Sequence, residues 1–188
     1  MAHIVAIAGS LRQRSFNHAL LRAMQPFVPD GSKLEIHTLR GIPVYDQDRE
    51  QSDYPEAAAR LKDAIAHGDG LLLASPEYNH ALPGPLKNAI DWLSRPPGDR
   101  ARVFAGRPVG LVGVTPGRGG TRFAQAAWAP VFQALRLLPW YDQQLYLDDA
   151  RKLFDEDLSL VEPRVRDLVR GYVEGLFAFC DRYSRTTR

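Results

Sequence analysis

Cysteine is nearly missing from this chain: Cys180 is the only one in 188 residues. No intrachain disulfide can form, and no thiolate-rich metal site can be assembled. Histidine is sparse as well. His3, His18, His37, His67 and His80 include no pair one helical turn apart, the spacing a helical metal site would use. A surplus of one charge is also lacking. Lys and Arg total 24 against 22 Asp and Glu, and the resulting +2 is too small for a nucleic-acid-binding surface. The one mild basic excess lies near the C-terminal end, at Arg182, Arg185 and Arg188. No apolar run approaches the roughly 20 residues of a membrane span. Met1-Ala2-His3 leads into an apolar run too short for a signal-peptide core. The expectation is a cytoplasmic protein with neither nucleic acid nor membrane as partner.

What is present suits a soluble globular chain. With 45% apolar and 24% charged residues, it can bury one ordinary core. No linker, repeat or composition break interrupts it, so residues 1–188 read as one domain. Ile4-Val5-Ala6-Ile7-Ala8 is apolar on both faces, as a strand inside a parallel sheet must be. Ser15 then stands as N-cap to a helix whose Phe16, Leu20, Leu21, Met24 and Phe27 keep helical spacing, closed by Pro26 and Pro29. Residues 33–39 alternate, which predicts a strand nearer the sheet edge, and 41–46 reads as an irregular rim. Asp53 with Glu56 resembles a capping box before a helix to about His67.

Residues 70–75 predict a second buried strand and 107–115 a third. Between them Gly84-Pro85 opens a helix with Leu86, Ala89, Ile90 and Leu93 on one face, ended by the turn Arg95–Asp99. From Thr121, the residues Phe123, Ala127, Val131 and Leu135 predict a helix that Pro130 kinks or ends. A fifth strand falls either at 137–140 or at 144–147. The last helix is expected over about 158–183, with Val161, Val165, Leu168, Val169 and Leu176 on its apolar side and Cys180 as a buried, inert thiol. Its Gly171 and Gly175 would permit close packing against a sheet or a second subunit. Strands alternating with helices in this way require a parallel sheet covered on both faces, joined by right-handed crossovers.

In such a sheet every strand's C-terminal end points to one edge, so the loops 10–17, 75–83 and 115–120 share a rim. In the order 2-1-3-4-5 the first two flank the switch point where ligands bind. The first loop, Gly9-Ser10-Leu11-Arg12-Gln13-Arg14-Ser15-Phe16-Asn17, sets hydroxyls, an amide and two arginines before a helix N-terminus. Unpaired N–H groups there favour a phosphate; the plainer reading is an ordinary strand-to-helix turn. In the second, Ser75-Pro76-Glu77-Tyr78-Asn79-His80, the backbone N–H groups of Tyr78 and Asn79 with the Asn79 amide suit the polar edge of a planar heterocycle. Tyr78 offers a wall, and Glu77 either accepts from polyol hydroxyls or holds its own loop. The third, Thr115-Pro116-Gly117-Arg118-Gly119-Gly120, lets backbone donors approach the other side of such a ring.

Gly9-Ser10-Leu11-Arg12 with Ser15 and Asn17, then Ser75-Pro76-Glu77-Tyr78-Asn79, then Leu86-Lys87-Asn88-Ala89-Ile90-Asp91-Trp92 together resemble the NAD(P)H-dependent FMN reductase family. The likeness runs in order and spacing over residues 3–135. It implies a flavodoxin-like three-layer α/β sandwich, with a five-stranded parallel sheet in the order 2-1-3-4-5 and helices on both faces. It implies tightly bound, non-covalent FMN. The phosphate would sit among Ser10, Leu11, Arg12, Ser15, Phe16 and Asn17. The ring and ribityl chain would border Pro76, Glu77, Tyr78 and Asn79, and the pyrimidine edge Thr115, Pro116 and Gly117. NAD(P)H would be the co-substrate, and a quinone, flavin, chromate or azo compound the small-molecule acceptor.

No catalytic side chain is expected, since hydride transfer to a flavin needs no general base. No Gly-x-Gly-x-x-Gly follows the first strand, which argues against a Rossmann-type nicotinamide site. A homodimer or homotetramer is expected, because a rim flavin is often closed over by a second subunit. Trp92, Trp128, Trp140 and the Arg95–Asp99 turn are the candidate contact surfaces, set against the commoner role of Trp in a core. The competing reading is a flavodoxin-like electron carrier with no turnover of its own, disfavoured by the missing acidic surplus. Arg118 and Pro130 depart from the family pattern.

Overall fold

The computed structural model describes residues 1–184, so Arg185 and Arg188 of the basic excess lie outside the described residues. The chain opens with β1 (His3–Ala8), buried along nearly its whole length, and passes through the 9–15 loop into α1 (Phe16–Met24). Ser15 is its N-cap as expected, its Oγ accepting from the His18 N–H, and a 3₁₀ turn at Gln25–Phe27 takes in Pro26. β2 (Lys33–Thr38) forms the sheet edge, and the rim segment after it carries the short α2 (Arg49–Ser52) before α3 (Glu56–His67). Then come β3 (Gly70–Ala74), α4 (Gly84–Leu93), α5 (Asp99–Phe104) and β4 (Pro108–Val114). The last third holds α6 (Arg122–Ala127), α7 (Ala129–Leu135), β5 (Leu138–Pro139), β6 (Leu145–Leu147), α8 (Ala150–Leu153) and α9 (Pro163–Ser184).

All strand pairings are parallel and the order is β2-β1-β3-β4-β5, with β6 also paired to β4. Both segments proposed for the fifth strand are therefore used. The lower part of β4 pairs at Pro108 and Val109 with β5, and its upper part at Val112–Val114 with β6. The break between them follows from Trp140, which leaves the strand line to lie edge-on to Tyr172, ring centroids 4.9 Å apart. Gly175 of α9 makes room for it: a Cβ there would come within 2.6 Å of the Trp140 ring.

Alternate residues of each strand feed opposite layers. Ile4, Ala6, Ala8, Leu72, Ala74 and Val112 pack under α1 and α9. Val5, Ile7, Leu71, Leu73, Val109 and Leu111 pack under α3, α4, α5 and α7. Among the described residues no helix is long and apolar enough to cross a membrane.

Several local expectations are corrected. Pro55, not Asp53, stands at the N-cap of α3, and Asp53 instead closes α2, bonded to Arg49 at 2.5 Å. Of the two outcomes expected at Pro130, the helix ends rather than kinks: Pro130 sits in the first turn of α7, apart from α6, and Phe123 is left 59% exposed. Val161 and Leu168 are likewise exposed, the last helix starting later than its periodicity implied. The turn after α4 contains the unexpected α5, whose Val103 and Phe104 are buried.

The three tryptophans belong to the core rather than to a contact surface. Trp92 lies edge-on to Tyr45 and Tyr54, and Trp128 stacks on Phe132. The Arg95–Asp99 turn is tied inward too. Buried Lys62 donates to the Arg95 carbonyl at 2.5 Å and to Asp99 at 3.0 Å, and lies over the Tyr54 ring.

The sheet's N-terminal edge is closed by polar side chains. Arg107 donates to the carbonyls of Val103 at 2.6 Å, Ala66 and Arg102 at 3.3 Å, and also to Gly68, gathering the ends of α3 and α5. Glu35 receives Lys33, His37 and His3 on its two oxygens, and these bonds hold its carboxyl down at about 2. Burial pushes the Cys180 thiol beside this edge up to about 12, as fits an inert group.

Candidate functional site

At the opposite edge, the C-terminal ends of β1, β3 and β4 bring the three loops together. Gly9 makes their approach possible. Its N–H donates to the Ala74 carbonyl at 2.9 Å, and a Cβ on it would stand 2.8 Å from that oxygen and 2.9 Å from Pro76 and Leu86. No side chain fits there. A cleft of about 80 Å³ forms where the loops meet, lined by Ser10, Arg12, Ser15, Phe16, Asn17, Pro76, Glu77, Tyr78, Val114, Thr115 and Pro116. Of the residues expected at the site, Leu11, Asn79 and Gly117 fall outside this lining, on the exposed rim.

The first wall presents donors. Helix α1 starts at Phe16, so the N–H groups of Phe16 and Asn17 have no intrahelical acceptor, while that of His18 is taken by Ser15. Ser10 is buried and its Oγ accepts from the Arg12 N–H at 3.3 Å, curling the loop. Asn17 has a different task from the one its side chain suggested. Its Nδ2 donates to the Val114 carbonyl at 2.9 Å and its Oδ1 accepts from the Val114 N–H at 3.1 Å. The amide therefore bolts α1 to the end of β4, and what Asn17 turns to the cleft is backbone.

The second wall is a tight hairpin. Tyr78 and Ala81 exchange two backbone hydrogen bonds across Asn79 and His80, both with left-handed φ, 51° and 58°. Asn79 suits that backbone, which explains its place in the motif. The Tyr78 N–H is consumed inside the hairpin and is not a free donor, while its ring stays 41% exposed. Glu77 holds loops together: its Oε2 accepts from the Ala124 N–H at 3.0 Å, in the first turn of α6, and its Oε1 lies 3.3 Å from His80 Nδ1. Beneath it, buried Ser75 accepts from Trp128 Nε1 at 2.9 Å, so the tryptophan positions this loop from the core.

The third wall is shaped by Thr115, whose Oγ1 accepts from the Gly117 N–H at 3.3 Å. Arg118 beyond it is exposed. The motif over residues 86–92 has a supporting role. Asn88 accepts from the Tyr45 N–H at 2.7 Å, and Asn88 and Trp92 both donate to the Pro43 carbonyl, pinning the 43–45 rim to α4.

A fourth wall escaped the sequence reading. Residues 148–160 leave the end of β6 and return along the same rim. Asp149 and Ala150 donate to the Gly117 and Thr115 carbonyls, Phe154 meets the Phe16 ring at 5.7 Å, and Arg14 donates to the Glu156 carbonyl. Lys152 beside Asp149 draws that carboxyl below the usual range. The signal lay in the apolar residues Leu153, Phe154, Leu158 and Leu160 of an acidic stretch, but nothing in the spacing said which face they would seek.

These donors suit FMN on the structure's own terms: a concave glycine-backed cradle, two unpaired N–H groups, two buried serines and Arg12, while the Glu77 carboxylate in the lining is engaged by the Ala124 N–H and His80. The family model for NADPH-dependent FMN reductase matches residues 2–152. An NAD(P)H-dependent FMN reductase of Pseudomonas aeruginosa is 35% identical over 173 residues, 92% of each chain. A 2-hydroxy-1,4-benzoquinone reductase of a Burkholderia species is 34% identical, over 91% of this chain and 92% of its own. Among solved structures, the flavoenzyme NAD(P)H:(acceptor) oxidoreductase FerB of Paracoccus denitrificans superposes with a TM-score of 0.85 at 30% identity, over 97% of this chain and 99% of that one. By sequence and fold, this chain belongs to the NADPH-dependent FMN reductase family.

Proposed function

We propose that this protein is an FMN-dependent oxidoreductase that passes two electrons from NAD(P)H to a quinone or a similar small acceptor. The balance is NAD(P)H, a proton and quinone going to NAD(P)⁺ and hydroquinone. The observation that carries the reading is the convergence of three loops, through Gly9, on one phosphate-sized cleft that presents donors and a guanidinium.

In this reading the N–H groups of Phe16 and Asn17, the hydroxyls of Ser10 and Ser15 and the charge of Arg12 hold the phosphate, and Leu11 covers it from the rim. Charge-assisted bonds of this kind contribute roughly 1.5–3 kcal/mol each. The cleft admits a phosphate and the start of a polyol chain but not three fused rings. The ring system is left to the open rim beside Pro76, Tyr78, Asn79 and the Thr115-Pro116-Gly117 backbone. FMN supplies the redox chemistry when bound, accepting hydride from the nicotinamide and delivering electrons to the acceptor. The chain's own work is to anchor the cofactor, present backbone donors where charge accumulates on reduction and leave one face open to planar partners. Glu77 serves this by fixing the second loop to α6, not by proton transfer. A cytoplasmic homodimer or homotetramer is the setting this reading expects.

Purified protein reconstituted with FMN retains it through gel filtration, is bleached by NADH or NADPH without air, and regains its colour on adding benzoquinone. Protein that takes up no FMN, or whose bound flavin neither nicotinamide bleaches, refutes the proposal.

A further inference from the structure

The end of β2 lies beside the end of β1, with Thr38 paired to Ala8, so the turn that follows β2 stands next to the 9–17 loop. Arg40 and Gly41 make the corner of that turn. The Ile42 N–H closes it on the Leu39 carbonyl at 3.3 Å, Gly41 takes a left-handed φ of 80°, and buried Leu39 fixes its base. From this corner the Arg40 guanidinium donates to the Leu11 carbonyl at 3.1 Å. The other end of the same peptide unit, the Arg12 N–H, donates to Ser10 Oγ at 3.3 Å. A trans peptide points its C=O and N–H in opposite directions. Ser10 and Arg12 line the phosphate-sized cleft, whereas Leu11 and Arg40 do not. The Leu11 carbonyl is therefore turned out of the cleft, and the Arg12 N–H toward its buried serine.

Direction matters here, because a carbonyl oxygen facing a phosphate repels it. In the second and third loops the carbonyls are engaged by backbone: Tyr78 accepts from the Ala81 N–H at 3.0 Å, and Thr115 and Gly117 accept from Ala150 and Asp149. In the first loop the partner of the Leu11 carbonyl is a side chain, Arg40. Since Ser10 Oγ accepts from Arg12, its own hydroxyl proton is left to give, and each bond in such a chain polarises the next. Resting on the reading of this cleft as the FMN phosphate site, we propose that Arg40 is a positioning residue for that phosphate. It holds the Leu11–Arg12 peptide so that Ser10 donates its hydroxyl proton to a phosphate oxygen. Arg40 itself stands outside the cleft and acts through Leu11 and Ser10.

The test titrates the full chain, freed of flavin, with FMN and with riboflavin, which lacks only the phosphate, following flavin fluorescence. The variant Arg40→Met keeps most of the stem and removes the donor at an exposed position. The expected result is FMN bound about three- to tenfold more weakly, riboflavin within about twofold of the parent, and an unchanged Tm. The FMN loss persists at about 0.5 M salt, where attraction by a distant exposed charge is screened. Introduced into Ser10→Ala, Arg40→Met weakens FMN by less than about twofold further, because its route runs through the Ser10 hydroxyl. Equal weakening of both flavins, a loss that disappears at high salt, full additivity with Ser10→Ala, or FMN affinity equal to the parent's each overturns the proposal. A parent that binds the two flavins equally overturns it as well, together with the phosphate reading of the cleft. Flavin that binds but is bleached by neither NADPH nor NADH counts against the oxidoreductase reading only, and the titrations still decide Arg40.

Discussion

The two edges of the sheet are built to opposite rules. At the N-terminal edge, cationic side chains and loose backbone carbonyls find each other. Arg107 spreads its guanidinium over four carbonyls, and Glu35 is wrapped by Lys33, His37 and His3. At the C-terminal edge the first N–H groups of α1 are left without internal partners. Polar groups that meet inside the chain hold structure. Helix N-terminal N–H groups without a partner in the chain are open to an anion instead.

Breaking the closed edge has the largest expected effect. Arg107→Met strands carbonyls at the ends of α3 and α5, so a loss of about 3 kcal/mol or more is expected, roughly 6–12 °C in Tm. FMN affinity of the folded protein stays within about twofold, since distant sites act independently. A thermal melt and a flavin titration on the same sample check both halves. If flavin affinity fell in step with stability, the two edges would not be separable.

The reverse experiment is Gly9→Ala at the open edge. The added Cβ forces the 9–17 and 75–83 loops apart, costing about 1–3 kcal/mol of stability. The loss of FMN affinity should exceed that, because the cleft itself is the space being deformed. Flavin retention at a temperature where circular dichroism shows the variant folded is the readout. Full retention would mean that the three-loop convergence is not what holds the cofactor.

The smallest effect sharpens the contrast by pH. The Glu35 carboxyl sits at about 2 when folded against an ordinary value of 4.5, so its bonds stabilise the native state above the unfolded value. That contribution is lost as pH falls from about 5 through 2. The side chain is 30% exposed, and solvent screening limits the gain to about 1 kcal/mol or less. Urea midpoints measured across that interval should fall less for Glu35→Gln than for the parent. An identical acid slope in both would show that the cluster contributes nothing to folding.

What could be read from the sequence was whatever depends on short-range pattern. Ile4–Ala8, the run from Gly70 to Ala74 and Pro108–Val114 are apolar on both faces, and only the interior of a parallel sheet accepts such strands. From that the common rim of the three loops follows, and with it the place of Ser10, Arg12, Ser15 and Pro76. The tertiary structure alone decided how those groups are spent. The Asn17 amide looked free to bind phosphate and is consumed by Val114, a residue 97 positions away. Glu77 was open between accepting from hydroxyls and bracing its loop, and the Ala124 N–H on its Oε2 decides for a brace to α6. The fifth strand could not be chosen between two candidates because Trp140 and Gly175 split it, and the 148–160 wall was hidden because only packing set Phe154 against Phe16. Periodicity and turn chemistry are properties of neighbours in the chain, so a sequence carries them openly. Which donor meets which acceptor depends on distances between segments, and those exist only once the layers have packed.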